Sequence, residues 1–465
     1  MKQNDCVKRI FIIIGLVFLM ISAFIIRQHN FEYSPARSID EVVYFRMAVQ
    51  IQDGLENYNT IPYGKKLQSS GRKLPDYFFK PLYKHPPIFT LFVSLAIKLF
   101  GFSEVSAFYV PVFFSLLMIP LIYCLGTLVF NRTVGFLSAI LISLDPMSIV
   151  CSQKIWMEST IAFFTVFSIY AFVKALKTST PRLFISSGIL SGLGALTKYT
   201  GGISTLIFVV YAFFFDKKLY KDKYFLVSLL IPVVMLVPWL LWNVSVYGLE
   251  FFGMQVNMHS DKHHAGIFGR NIVLYVIFGL ALLRLAKKIH DDLPNKAKAS
   301  KNIFLVSGCG FAVLLWPAVL KSFTIMHLPL TSWAGSTFYG ATHLFYLQRE
   351  LEFSLISFFA FLAFFIPKKN ISGEEQILRL SSAGTLLFFT IWSAFQCRYI
   401  IAANPLLILI GVNFLYELFQ KTHAILSFGP RVLVRSGILI IAFMILLKVL
   451  IINYFISFPN NLCYF

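Results

Sequence analysis

The feature that most constrains this chain is a series of apolar runs, each about as long as a bilayer is thick, recurring from one end of the sequence to the other. A helix that crosses a membrane needs about 20 apolar residues, with a range of about 17–25. Runs of this kind are read at 10–26, 105–129, 134–150, 159–177, 183–197, 201–215, 224–247, 269–285, 303–320, 351–367, 380–397, 400–420 and 436–457. The runs at 183–197 and 201–215 are short and flank Thr197-Lys198-Tyr199, so they are read as broken or tilted helices. Only 13% of the residues are charged and 57% are hydrophobic, against about 25% charged in an ordinary soluble domain. A soluble fold could not bury that much apolar surface. The expectation is an all-α integral membrane protein, one polytopic domain over 1–465 with about thirteen transmembrane helices and no separate soluble domain.

Basic residues orient the spans. Lys8 and Arg9 precede the first run and Arg27 follows it, the pattern of a retained signal anchor with its N-terminus in the cytoplasm. Alternating from there, the inside connections collect Lys217, Lys218, Lys221 and Lys223, then Lys287, Lys288, Lys296, Lys298 and Lys301, then Lys368, Lys369 and Arg379, then Lys421, Arg431 and Arg435. The short outside connections hold single bases such as Lys154, Lys198 and Arg398. This is the positive-inside bias. It turns the formal net charge of +20 into a topology signal and a contact with anionic head groups, and it argues against nucleic acid as a partner.

One apolar segment, 86–100, is too short to cross comfortably, and counting it would place every later basic cluster outside. It is read as a helix lying at the outer face. The first outside loop is then 27–103, carrying juxtamembrane helices, and further outside loops are 247–268 and 321–349. The six cysteines are scattered, with no pair at metal-ligand spacing.

Several polar residues fall at the outer ends of these spans. Asp40 and Glu41 follow the first span by about 14 residues, close enough to the outer leaflet for a carboxylate to deprotonate an acceptor or help hold a metal. Ser38 or Asp40 equally suits a helix N-cap. Lys84 and His85 precede Pro86-Pro87, where a helix start and a cation together suit a phosphate; a plain turn touching head groups reads equally well. Glu158 opens a span, as a costly intramembrane acid or an N-terminal helix charge. His259, Asp261, His263 and His264 offer donors for a divalent metal without a closed zinc spacing. Arg398 stands at a span boundary, where it grips phosphate or snorkels.

The order of these landmarks resembles the integral-membrane glycosyltransferases that take sugars from polyprenyl phosphates: the protein O-mannosyltransferases and the bacterial aminoarabinose transferase of lipid A. Asp40-Glu41 with Tyr44 looks like the acidic pair of that family. His85-Pro86-Pro87 followed by Leu99-Phe100-Gly101 looks like its His-Pro-Pro helix, and Asn131-Arg132-Thr133-Val134-Gly135 its short basic turn. Glu158 stands where an Asp is usual. Gly192-x-Gly194 with Thr197-Lys198, then Pro238-Trp239, then Arg398-Tyr399 with Pro405, continue the series.

The resemblance implies a GT-C fold and an inverting transfer from a polyprenyl-phosphate sugar to a hydroxyl of a lipid, protein or glycan, at the extracytoplasmic membrane face. It implies Asp40 as general base, with Glu41 and Glu158 beside it. Lys84, His85, Lys198, Arg398 and Tyr399 would surround the donor phosphate, and His259 or His264 would serve a metal. Lys84 departs from the aminoarabinose transferase, which has a metal-associated Glu there. Two other readings are open to the sequence: a lipid or polysaccharide flippase, and a noncatalytic scaffold for envelope glycan assembly. Transporters place charges and broken helices near the bilayer midplane, whereas here the charged candidates gather at one face.

Overall fold

The computed structural model describes residues 2–28, 38–71, 74, 76–81, 85–260, 350–351, 354–365, 368, 371–391, 397–425 and 428–456. Among them regular structure is helical, and the β pairing is a single antiparallel bridge between Asn59 and Pro81. The spans read at 269–285 and 303–320 lie outside the described residues. The chain divides into two units, Met1–Phe251 with Val449–Phe465, and Phe252–Lys448.

In the first unit the helices are α1 (Lys2–Gln28), α2 (Ile39–Gln50), α3 (Ile61–Ser69), α4 (Ile88–Phe100), α5 (Glu104–Val129), α6 (Arg132–Ser143), α7 (Pro146–Ser152), α8 (Glu158–Thr178), α9 (Pro181–Thr197), α10 (Ile203–Phe214) and α11 (Lys223–Tyr247). α12 (Glu250–Ser260) follows. Their ends obey local chemistry. Ser103 accepts from Ser106 N at the start of α5, and Asn131 accepts from Val134 N at the start of α6, the side-chain caps that satisfy orphan helix donors. The Asn131-Arg132 turn is therefore a cap. Pro181 opens α9 at a position where no backbone donor is needed. Gly101 ends α4 with φ +94°, a conformation that disfavours any Cβ.

Among the described residues, helices α1, α5, α8 and α11 are long and apolar enough to cross a membrane. They differ in surroundings. Within its apolar window α8 is 78% buried, whereas α1 is 11% and α11 22% buried. Ile10, Phe11 and Phe18 on α1, and Leu230, Val233 and Leu241 on α11, stand exposed. Such apolar faces on helices of spanning length suit lipid rather than water. α8 is enclosed instead: Phe172 stacks on Phe208 of α10 at 3.9 Å between ring centroids and meets Phe225 of α11 at 6.0 Å. α4 has 13 residues, the short helix expected before α5.

The run read as one span at 134–150 is a bent pair, α6 and α7, with a 52° break. Asp145 causes it by capping α7, accepting from Ser148 N at 2.7 Å. Arg27 fills the joint. Its side chain is fully buried, with Nε donating to Ser115 Oγ at 2.9 Å, Nη1 to the Ser143 carbonyl at 2.9 Å, and Nη2 to Ser148 Oγ at 3.3 Å. Expected from the sequence as a flanking charge, Arg27 is a fork that ties α1 to α5 and to the bend. Lysine keeps the charge but not the fork. Arg27→Lys should therefore lower stability by about 1.5–3 kcal/mol, the worth of a hydrogen bond to a charged group, measured by denaturant unfolding in mixed micelles.

The second unit contains α13 (Ile356–Phe365), α14 (Gly373–Ile391) and α15 (Asn404–Ile425). α16 (Phe428–Ile456) runs on beyond it. These correspond to the apolar runs read near 351–367, 380–397, 400–420 and 436–457.

Candidate functional site

The acidic pair after the first span begins α2, and its two members differ. Ser38 and Glu41 form a reciprocal capping box: Ser38 Oγ accepts from Glu41 N, and Glu41 Oε1 accepts from Ser38 N at 3.0 Å. Glu41 is 1% exposed. Its Oε1 is 3.8 Å from Lys154 Nζ, and its Oε2 accepts from Ile155 N at 3.2 Å. Lys154 is itself buried. Asp40, one residue earlier, lies in the first turn of α2 and is half-buried there.

The partner of this helix start is the turn between α7 and α8, residues 153–157. Gln153 Nε2 donates to the Ile26 carbonyl at the end of α1, at 3.2 Å. Trp156 Nε1 donates to Ser38 Oγ at 2.9 Å. Immediately after the turn, Glu158 opens α8, is 3% exposed, and meets Lys198 Nζ at 3.4 Å. One short segment thus touches α1, α2 and the end of α9. Two buried carboxylates are each matched by a lysine, which is the condition for keeping such charges out of water.

Lys198 is held by an unusual corner. It is the C-cap of α9, with extended φ/ψ, and a 3₁₀ turn, Tyr199–Gly202, leads into α10. A Cβ added to Gly201 would overlap the carbonyl of Gly194. The corner closes because both residues lack one. This gives a physical reason for Gly194 in the pattern that precedes Lys198. Trp239, from the Pro238-Trp239 element of α11, donates Nε1–H to Tyr199 Oη at 2.7 Å and so fixes the residue beside Lys198.

His85 is buried before α4, its ring 6.0 Å from that of Tyr44 on α2. Tyr58 donates its hydroxyl to the His85 carbonyl at 3.0 Å and lies 5.6 Å from Trp239, ring to ring. Burial pushes the Tyr58 phenol up from its ordinary range, which keeps it a donor. Tyr247 Oη, at the end of α11, donates to the Pro81 carbonyl. These contacts clamp the segment between α1 and α5 onto the end of α11.

The structure therefore brings Glu41, Lys154, Glu158 and Lys198 to one turn, with Asp40 next to Glu41. Lys84 lies outside the described residues. Arg398 and Tyr399 belong to the second unit, where the Arg398 guanidinium, 8% exposed, stands 5.8 Å from the Tyr399 ring centre in a 3₁₀ turn, Cys397–Ile400. His259 lies on α12, and His264 is outside the described residues. Among the described residues no three His, Cys, Asp or Glu side chains stand close enough to hold a metal ion. Sequence reasoning missed three residues here: Lys154 as the partner of Glu41, Trp156, and Tyr58.

Comparison with known proteins supports the resemblance to membrane glycosyltransferases that use polyprenyl phosphates. The family model for dolichyl-phosphate-mannose-protein mannosyltransferase matches residues 84–242. No curated protein sequence matches the chain. Among solved structures, ArnT from Cupriavidus metallidurans bound to undecaprenyl phosphate is similar at TM-score 0.57 and 13% identity, over 96% of this chain and 76% of that one. The archaeal oligosaccharyltransferase AglB from Archaeoglobus fulgidus, in complex with an inhibitory peptide and a dolichol-phosphate, is similar at TM-score 0.55 and 16% identity, over 98% of this chain and 56% of that one. The same oligosaccharyltransferase in complex with Zn and sulfate gives TM-score 0.52 and 18% identity, over 97% and 53%. This chain spans about half the length of the oligosaccharyltransferase. The fold is the GT-C fold of these membrane proteins.

Proposed function

We propose that this chain is an inverting glycosyltransferase that moves a sugar from a polyprenyl-phosphate donor to a hydroxyl of a lipid, protein or glycan acceptor. The family match over 84–242 and the lipid phosphates bound by the two structural relatives support this reading. The observation that carries it is the pair of buried links, Glu41 to Lys154 and Glu158 to Lys198, fastened to one turn. They set Asp40 at one edge of the turn and a lysine cation at the other.

The reaction assigned to these groups is a direct displacement. Asp40 takes the proton of the acceptor hydroxyl as the oxygen attacks the anomeric carbon. The new carbon–oxygen bond forms as the bond from that carbon to the phosphate oxygen breaks, and the electron pair departs with polyprenyl phosphate. Attack from the opposite side inverts the anomeric centre. The leaving phosphate gains negative charge, which fixed cations stabilise. An ammonium carries three donors, so Lys198 serves Glu158 and a phosphate together. Lys84, His85, Arg398 and Tyr399 are assigned to the same phosphate by resemblance. Glu41 acts as a positioning residue, since its carboxylate holds the turn. His259 and His264 are retained as candidate metal ligands. Glu41 and Glu158 do not suit a metal, because a lysine meets each, and no step above runs through one.

A lipid leaving group places the chemistry at the bilayer edge. The positive-inside bias puts Asp40, Lys198 and Arg398 on the extracytoplasmic side, with the protein in the plasma membrane, or the inner membrane in a bacterium. The test is mass spectrometry of envelope lipids and glycans from cells with and without this protein, joined to assays in proteoliposomes charged with polyprenyl-phosphate sugars. Loss of one sugar in cells, and release of free polyprenyl phosphate in vesicles, is the expected result. Passage of intact lipid-linked sugar across the vesicle membrane, with no bond cleaved, would replace the transferase with a flippase.

A further inference from the structure

The second unit holds a charged cavity that the transferase reading does not use. α13 ends at Phe365, α14 begins at Gly373, and Lys368 lies on the connection between them. Its ammonium is 2.8 Å from Glu375 Oε2 and 2.7 Å from Glu417 Oε1. Arg379, one turn along α14, donates Nε and Nη2 to Glu375 Oε1 at 3.0 and 2.8 Å, and Nη1 to the Ala363 carbonyl at 2.7 Å. On α15, Asn413 donates to Glu417 Oε1 at 2.9 Å, and Lys421 stands 3.7 Å from Glu417 Oε2. These groups line a cavity of about 250 Å³.

Charge distinguishes this cluster from a simple lock between helices. Lys368 and Arg379 already balance Glu375 and Glu417. Lys421 is a third cation in the cavity wall, and its side chain is 65% exposed. One positive charge in the lining is thus left over. Burial opposes the charge on Lys368, but the hydrogen bonds and charges of Glu375 and Glu417 outweigh it and hold its ammonium above the ordinary lysine range. The cavity is smaller than the roughly 300–1,000 Å³ of a site that encloses a whole small molecule. It lies beside the connection that carries Lys368 and Lys369, which the positive-inside bias reads as a cytoplasmic connection between apolar helices. Basic pockets between membrane helices on the cytoplasmic side seat lipid head groups.

We propose that this cavity holds the phosphate of an anionic phospholipid, with Lys421 and Lys368 as its cations and the two glutamates keeping Lys368 and Arg379 in place. The site is independent of the sugar-transfer reading and stands or falls without it. The experiment uses the full chain in nanodiscs of phosphatidylcholine with increasing phosphatidylglycerol, followed by native mass spectrometry of the lipid retained. Preferential retention of phosphatidylglycerol is expected, weakened about fivefold in Lys421→Gln, the worth of one lysine near a lipid surface, and restored in Lys421→Arg. Lys368→Gln should weaken it further; should that variant not fold, Lys421→Gln decides alone. Equal retention of the two lipids, or no change in Lys421→Gln, overturns the proposal. Binding of inorganic phosphate without retained phosphatidylglycerol overturns it as well, by assigning the cavity to a free anion.

Discussion

Replacing Asp40 by Asn is expected to slow sugar transfer by about a hundredfold to ten-thousandfold, the range in which general acid–base groups contribute. The substitution is nearly isosteric, and other residues cap the start of α2. Ser38 and Glu41 cap that helix, and Trp156 and Lys154 hold the two capping residues. The variant should therefore insert, extract and unfold like the parent. Initial rates in proteoliposomes, beside denaturation curves for both proteins, separate a chemical loss from a structural one. An Asp40→Asn protein that folds normally and turns over at the parental rate removes Asp40 from the mechanism.

The second large effect is on stability. Glu41 and Lys154 are each about 1% exposed, so Glu41 without Lys154 is a buried charge that has lost its lysine. Lys154→Met is expected to cost about 3–5 kcal/mol, as is typical when one partner of a buried pair is removed. The double variant Glu41→Gln with Lys154→Met should recover much of that, because the stranded charge is gone. Transfer should fall in the single variant more than in Asp40-preserving controls elsewhere, since the turn at 153–157 would lose its hold on α2. Unfolding free energies for the two singles and the double form a double-mutant cycle. Additive losses, or a single loss below about 1 kcal/mol as for a surface pair, would show that the link is incidental.

Much of this architecture is legible in the sequence because bilayer physics permits so few solutions. Apolar length alone picks out α1, α5, α8 and α11, and the short run before α5 is a separate helix of 13 residues, as its length implies. The count of about thirteen spans rests partly on stretches outside the described residues. The bend at Leu144 and Asp145 is not legible as a break, because an aspartate inside an apolar run does not reveal whether it caps a helix or merely interrupts one. At the site, the order of Asp40, His85, Glu158, Lys198 and Arg398 is readable as a series of motifs. Their partners are not. Ser38 three residues before Glu41 is a capping-box spacing, so half of Glu41's role has a local signal. Lys154 has none: it looks like a lone base in a short outside loop, and only tertiary packing brings it to a residue far earlier in the chain. Arg27 is the same case. A charge at the end of a span reads as a flank, and the serines that receive it, Ser115 and Ser148, are unremarkable in sequence. Long-range polar pairing has no period and no spacing rule, which is why pattern reading passes over it.

The corner at Gly194 and Gly201 limits how α9 and α10 move against each other. Main chain rests directly on main chain there, with no intervening side chain to rotate out of the way. Lys198 is thus mounted on a tightly packed joint between α9 and α10. If the proposed transfer is right, its prenyl product leaves by rearrangement of some other segment, and slowing that exit by mutation should require changes far from this lysine.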